Sequence, residues 1–234
     1  MTSIKDSVAL VTGGSRGLGR ALVEELYARG AAKVYATARD PRTVTHPDAV
    51  PLALEVTDPA SVQAAAAQAQ DVTVLINNAG VSVGARTFLD AELDVVRREF
   101  EANFYGPLLV TRSFVPVIER NGGGHLLNVH SVLSWLGIAG SYSATKAALW
   151  SQTNSLRLEL HARGIGVTGL HVGYIDTDMA SAIDAPKSTP QEVAALAVEG
   201  IETGAYEVLA DDVTRNVKAG LSGDLAALYP QLAD

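Results

Sequence analysis

Tyr142 and Lys146 stand four residues apart in a strongly helical segment, so their side chains share one helix face. A tyrosine hydroxyl titrates near ~10, too high for easy exchange at neutral pH, and an adjacent ammonium stabilises the phenolate and lowers that value. The pair therefore suits proton transfer to or from a substrate oxygen. Eleven residues before Tyr142 comes Ser131, in the run Asn128, Val129, His130, Ser131. A hydroxyl just past the end of an apolar strand could hold a substrate carbonyl oxygen, and Ser134 is its rival. Near the amino end, Thr12, Gly13, Gly14, Ser15, Arg16, Gly17, Leu18 and Gly19 separate a short β-branched run from a helix-forming stretch at 20–29. A strand, a glycine-rich turn and a helix start bind anions: the glycines permit the tight turn and let a pyrophosphate approach backbone N–H groups at the positive end of the helix. The glycine spacing differs from the common dinucleotide fingerprint, which needs glycines two and then three residues apart.

Short β-branched runs alternate with longer amphipathic or Ala-rich segments, the rhythm of βαβ units. Strands are expected at 8–12, 33–38, 50–56, 73–77, 125–129, 166–172 and 207–210. Several are nearly continuous apolar runs, as strands are when helices cover both faces. The fold expected is α/β, a doubly wound seven-stranded parallel sheet, with residues 1–234 forming one domain. Asp58 before Pro59, and Thr189 before Pro190 with Glu192 completing a capping box, mark helix starts. Long helical stretches are expected at 91–120, broken near Pro107, and at 141–163. In the first, Pro107 cannot donate to the carbonyl of Asn103, which leaves an acceptor for a water. In the second, Tyr142 follows the fifth strand, where a doubly wound sheet opens its ligand crevice.

Composition excludes several other chemistries. Eighteen Lys+Arg against 26 Asp+Glu give a net charge of −8, which repels phosphate backbones and anionic lipid, so no nucleic-acid or membrane partner is expected. The chain has no cysteine, hence no disulfide, thiolate nucleophile or Cys-ligated metal. The five histidines lack the spacing of a zinc site, and no metal is expected; His130 and His171 are read as satisfied buried imidazoles. Asp176 and Asp178 are read as solvated loop carboxylates, and Trp135 and Tyr174 as either pocket walls or ordinary packing. No apolar run reaches membrane-span length, and residues 1–6 lack a signal-peptide pattern, so a cytoplasmic protein is expected.

The turn Thr-Gly-x-x-x-Gly-x-Gly at 12–19 resembles that of the short-chain dehydrogenase/reductase family, and further family motifs follow in order. Asn77, Asn78, Ala79 and Gly80 match the segment that steadies the central sheet and lines the cofactor ribose. Asn103 matches the helix asparagine of the proton relay. Ser131, Tyr142 and Lys146 match the catalytic set, although the segment before the tyrosine is about two residues short. Gly173 and Thr177 match the loop Pro-Gly-x-x-x-Thr, with Val172 in place of the proline and Ile175 and Thr177 at the nicotinamide amide. The resemblance implies an NAD(P)-dependent oxidoreductase that interconverts a carbonyl and an alcohol. Ser131 would polarise the carbonyl, Tyr142 donate its proton, Lys146 tune the tyrosine and hold the ribose, and Asn103 anchor the relay water. Cofactor contacts are expected at Gly13, Ser15, Arg16, Gly17, Leu18 and Gly19, at Arg39, Glu55 and Val56, and at the motif residues named above.

NADP (NADPH) is preferred to NAD in this reading. Ala38 ends the second strand where an NAD-specific site places an acid, and Arg39 and Arg16 suit a 2′-phosphate. Glu55 replaces the family's usual Asp beside the adenine. Two other function classes fit parts of the pattern: a non-catalytic NADP(H)-binding regulatory protein, and a nucleotide-sugar epimerase or dehydratase. A homodimer or homotetramer is expected, with Phe114, Leu149, Trp150 and Leu156 as apolar residues to be covered. The substrate site is expected to be open, with about 179–188 as its lid.

Overall fold

The computed structural model describes residues 2–83 and 87–232. Seven strands form one sheet: β1 Val8–Val11, β2 Lys33–Ala38, β3 Val50–Ala53, β4 Val74–Asn77, β5 Gly124–Val129, β6 Ile165–His171 and β7 Glu207–Leu209. Their order is β3-β2-β1-β4-β5-β6-β7, and every neighbouring pair is parallel. Helices α1 Gly17–Ala28 and α6 Pro190–Thr203 cover one face; α2 Pro59–Gln68, α4 Gly106–Arg120 and α5 Gly140–His161 cover the other. Leu22, Leu26, Val198 and Ile201 fill the first core, and Phe114, Ile118, Leu156 and Leu160 the second. With both faces buried, the strands have no polar side to show, which is why their sequences run apolar rather than alternating.

Chain order reverses between β1 and β4, so their loops diverge and leave a crevice beyond the strand ends. The register, with Val11 beside Ile76 and Asn77 beside Asn128, brings the ends of β1, β4 and β5 level there. All the expected polar candidates on these strand ends therefore meet at one rim.

Three expectations differ from the structure. The third strand stops at Ala53 rather than 56, because Glu55 N donates to Ser61 Oγ at 2.9 Å and the Glu55 carboxylate accepts from Thr57 N and Oγ. Local side-chain bonds there outcompete the ladder. The long stretch at 91–120 is not broken at Pro107. Helix α3 Leu93–Phe100 passes into a wide π turn, Glu101–Tyr105, and on into α4. Gly106 N donates to Glu101 O five residues back, and that widened turn accommodates the missing proline N–H. Finally, Phe114, Leu149 and Leu156 lie in the chain's own core, and Trp150 is half-buried with its Nε1 donating to Glu207 at 2.8 Å. They are not an uncovered apolar surface.

Beyond β7 come α7 Asp212–Gly220 and α8 Leu225–Leu228, two elements absent from the sequence expectations. Tyr229 after α8 accepts a hydrogen bond on its hydroxyl from Gly137 N at 2.8 Å, and Lys218 of α7 sits 5.0 Å from the Trp135 ring. The segment at 179–188 is therefore not the sole cover for the loop ahead of α5. No helix among the described residues is long and apolar enough to cross a membrane, and none of their His, Asp and Glu side chains gather in threes to hold a metal.

Candidate active site

Tyr142 and Lys146 occupy the first turns of α5, with Tyr142 half-buried and Lys146 buried. Lys146 Nζ donates to Val129 O, the last carbonyl of β5, at 2.9 Å, and lies 5.7 Å from the centre of the Tyr142 ring. Burial pushes Lys146 down to about 8, because an ammonium loses its hydration there. Burial, and after it the charge of Glu99, push Tyr142 up to about 12. The tyrosine therefore keeps its proton over the neutral range, and the lowering expected from Lys146 is not seen.

Ser131 follows β5 by two residues and is buried. Its Oγ accepts from Leu133 N at 3.2 Å, which leaves the hydroxyl proton to give elsewhere. Ser134 is also buried, and its Oγ accepts from Ser131 N at 3.4 Å, so it braces Ser131. The two rival serines form one reciprocal cap around a short 3-10 turn, Val132–Ser134. Asn103 spends its side chain on the chain after β4: Oδ1 accepts from Val81 N and Nδ2 donates to Val81 O, both at 2.8 Å, and Nδ2 also reaches Thr145 Oγ1 on α5. A side chain on Gly80 would stand 3.0 Å from Asn103 Oδ1 and 3.8 Å from Lys146 Nζ, so the glycine keeps that gap clear.

Behind these residues the polar groups continue through the sheet. Asn77 donates to Thr111 Oγ1 and Asn128 Oδ1, and Asn128 donates to Thr153 Oγ1 at 2.8 Å. His130 meets Thr153 through Nε2 and His171 through Nδ1 at 3.0 Å, and both imidazoles are buried, as satisfied core histidines are. Burial, the first cause in each case, pushes both below the usual histidine range. Trp135 stacks on His171 at 4.0 Å and is nearly buried, which makes it core rather than pocket wall; Tyr174 is 42% exposed.

The glycine turn is built from backbone. Gly13 and Gly17 have φ of +66° and +51°, which side chains strain to adopt, and a Cβ on Gly19 would fall 2.0 Å from Gly13 O. Arg16 sits at the cap of α1 without a capping side-chain bond, and no acid lies in the first turn, so the leading N–H groups of α1 are uncapped by any side chain. Thr12 Oγ1 accepts from both Asn78 N and Ala79 N at 2.9 Å, and Asn78 Nδ2 donates to Thr12 O, locking β1 to β4. The Thr177 methyl is 3.2 Å from where a Gly17 Cβ would be, which places the Ile175–Thr177 segment over the turn. Ser15, Leu18 and Gly19 belong to the same turn and helix start.

The remaining cofactor candidates lie at the rim of β2 and β3. Arg39 is 83% exposed along its side chain, with Nε 4.0 Å from Glu55 Oε2. Arg16 pairs at 3.1 Å with Asp178, both largely exposed, so the contact holds it weakly. Val56 packs against the first turn of α4, within 3.0 Å of a Cβ built on Gly106. Two residues of the assembly, Glu99 and Tyr229, carry structural duties that the sequence did not single out. The signal for Glu99 was available: a charged residue on the side of an amphipathic helix that also carries Asn103, four positions on.

A family model described as short chain dehydrogenase matches residues 7–188. The chain belongs to that family. Short-chain dehydrogenases are oxidoreductases that use nicotinamide cofactors and act on small molecules. This family member is 34% identical over 196 residues to the 3-oxoacyl-[acyl-carrier-protein] reductase of Salmonella typhimurium, covering 77% of this chain and 78% of that one. A short-chain dehydrogenase from Burkholderia cenocepacia, solved in complex with NADP, superposes with a TM-score of 0.92 at 36% identity, over 99% of each chain. A 3-ketoacyl-(acyl-carrier-protein) reductase from Brucella melitensis, complexed with NADH, superposes with a TM-score of 0.81 at 25% identity, covering 87% of this chain and 94% of that one.

Proposed function

We propose that this short-chain dehydrogenase is a single-domain, NADP(H)-dependent carbonyl reductase in which Tyr142 is the acid, Ser131 the carbonyl donor and Lys146 the residue that holds the nicotinamide ribose. The observation that carries the reading is the pairing of a half-buried, proton-bearing Tyr142 with a buried Lys146 anchored to Val129, two residues before a serine whose hydroxyl proton is unspent. The residues fit a dinucleotide: the uncapped start of α1 and the crowded Gly13–Gly19 approach leave backbone N–H groups for a pyrophosphate, and Lys146 has donors beyond the one it spends on Val129. When bound, the nicotinamide supplies the hydride.

The chain's residues do the rest. Ser131 would donate to the carbonyl oxygen and draw electron density from its carbon. Tyr142 would give its proton to the same oxygen as negative charge builds there. Asn77, Asn78, Ala79 and Gly80 would frame the ribose side, and Ile175 and Thr177 the amide side. Asn103 would hold the relay water through its backbone carbonyl. Ala38, Arg39 and Arg16 support NADPH, since no acid stands at the end of β2 and two exposed guanidiniums can turn to a 2′-phosphate. The relative complexed with NADP supports the same choice, and the 3-oxoacyl reductase relative makes an acyl thioester ketone the first substrate to try. Assembly as a homodimer or homotetramer is part of the proposal, supported by Tyr105 and Leu158, exposed by 46% and 82% on the long helical elements.

The test is NADPH oxidation by the purified protein against 3-oxoacyl thioesters, ketones, diketones and aldehydes, with NADH in parallel. Turnover with at least one carbonyl is expected. Tight NADPH binding with no turnover on any class would overturn the enzymatic reading.

A further inference from the structure

Glu99 is fully buried on α3, a condition carboxylates almost never meet without partners. Its two oxygens are both engaged: Oε1 accepts from Val83 N at 2.8 Å, and Oε2 accepts from the hydroxyl of Ser141. Ser141 is the residue before Tyr142 and is itself fully buried. The same α3–π–α4 unit places Asn103 one π turn further on, clasping Val81 and Thr145. Glu99 and Asn103 thus hold the chain after β4 at two points, and each reaches across to α5. Hydrophobic side chains would fill that space at less desolvation cost, so the carboxylate is costly unless its position does something.

We propose that Glu99 is a positioning residue of the catalytic centre: it ties the first turn of α5, and with it the backbone that carries Tyr142, to the Val81–Val83 segment. This rests on the reading of Tyr142 as the acid. The charged groups around Tyr142 among the described residues are Lys146, 5.7 Å from its ring on α5, and Glu99 of α3, which is bonded to Ser141, the residue before it. A negative charge disfavours the phenolate, and Glu99 is the one charge that adds to burial in pushing Tyr142 up. In reduction, hydride from the reduced nicotinamide forms the C–H bond, and the tyrosine O–H breaks as its proton passes to the carbonyl oxygen; solvent then reprotonates the phenolate. A charge that keeps the proton on Tyr142 keeps the donor loaded to higher pH. In alcohol oxidation the phenolate must form first, and the same charge opposes it.

The experiment measures kcat/KM against pH for carbonyl reduction and for oxidation of the product alcohol, with NADPH affinity followed separately by fluorescence. In Glu99→Gln, the alkaline limb of reduction is expected to move down by roughly one pH unit, the equivalent of a tenfold change in proton affinity. The rising limb of oxidation, which needs the phenolate, is expected to move down with it. Ser141→Ala keeps the charge and loses the tie, so kcat should fall while the limb does not move down. A Glu99→Gln profile superimposable on wild type, or an equal downward shift in Ser141→Ala, would overturn the proposal. If Glu99→Gln does not fold, Glu99→Asp decides: it keeps the charge, so its limb should stay with wild type, and a downward shift overturns the idea. Tyr142→Phe separates the two readings. If it remains active, the assignment of the acid fails; if it is inactive and the Glu99 profiles are unmoved, only the role of Glu99 fails.

Discussion

The two halves of the site are made of different materials. Around β1 and α1 the structure relies on backbone: positive-φ glycines, a Cβ-free approach of Gly19 to Gly13 O, and a helix start with no side-chain cap. Around β4, β5 and α5 it relies on buried polar side chains paired with residues far away in sequence, such as Asn103 with Val81 and Thr145, Lys146 with Val129, and Glu99 with Val83 and Ser141. A backbone site is specified locally and tolerates changes in its exposed neighbours. A side-chain network depends on the packing of several elements at once, and each unpaired member would carry its own desolvation cost.

The sharpest way to break the comparison is Tyr142→Phe. It should lower kcat by about 10²–10⁴, the usual worth of a positioned acid, while leaving NADPH affinity within about twofold, since the backbone half is untouched. Fluorescence titration beside steady-state kinetics checks it, and a parallel loss of affinity would show that the halves are not separable.

Acid should also distinguish them. Burial pushes His125 of β5 down to about 4, and it lowers His130 and His171 as well, whereas the one described histidine near the other half, His46, is only half-buried. A folded-state value below the unfolded one means that the unfolded chain takes up the proton first. Stability is therefore full above about 6.5 and is lost as pH falls from there toward the folded-state values, with His125 alone worth about 3 kcal/mol. Hydrogen exchange at pH 5 should expose β5 and β6 before β1 and β2; equal loss in both would count against the assignment.

Gly19→Ala should weaken NADPH binding by roughly tenfold or more, because the added methyl would meet Gly13 O and force the turn open. Retained kcat at saturating NADPH would sharpen the contrast, showing that the backbone half binds and the side-chain half reacts. The smallest effect is expected from Arg39→Ala, a loss of severalfold in NADPH preference over NADH by kcat/KM, in keeping with an exposed charge. An unchanged preference would mean that Arg39 does not read the 2′-phosphate.

The sequence by itself determined the parallel sheet, the glycine turn, the pairing of Tyr142 with Lys146 and the capped start of α6. Each depends on residues close in the chain: apolar runs that need cover on both faces, glycines that alone tolerate positive φ, a four-residue helical spacing, and Thr189 with Glu192. Tertiary structure alone decided the rest. Pro107 reads locally as a helix breaker, and only the surrounding packing makes a π turn the lower-energy answer. Ser131 and Ser134 look like alternatives until the 3-10 turn joins them in one reciprocal cap. Phe114, Leu149 and Leu156 look available for a partner until the sheet is placed against them. Glu99 looks like one more charge on an amphipathic helix, and only the approach of Val83 and Ser141 from distant segments turns it into a buried group bonded to the residue before Tyr142. Local sequence fixes backbone preference, whereas the cost of burying a polar group depends on partners that the fold alone brings within reach.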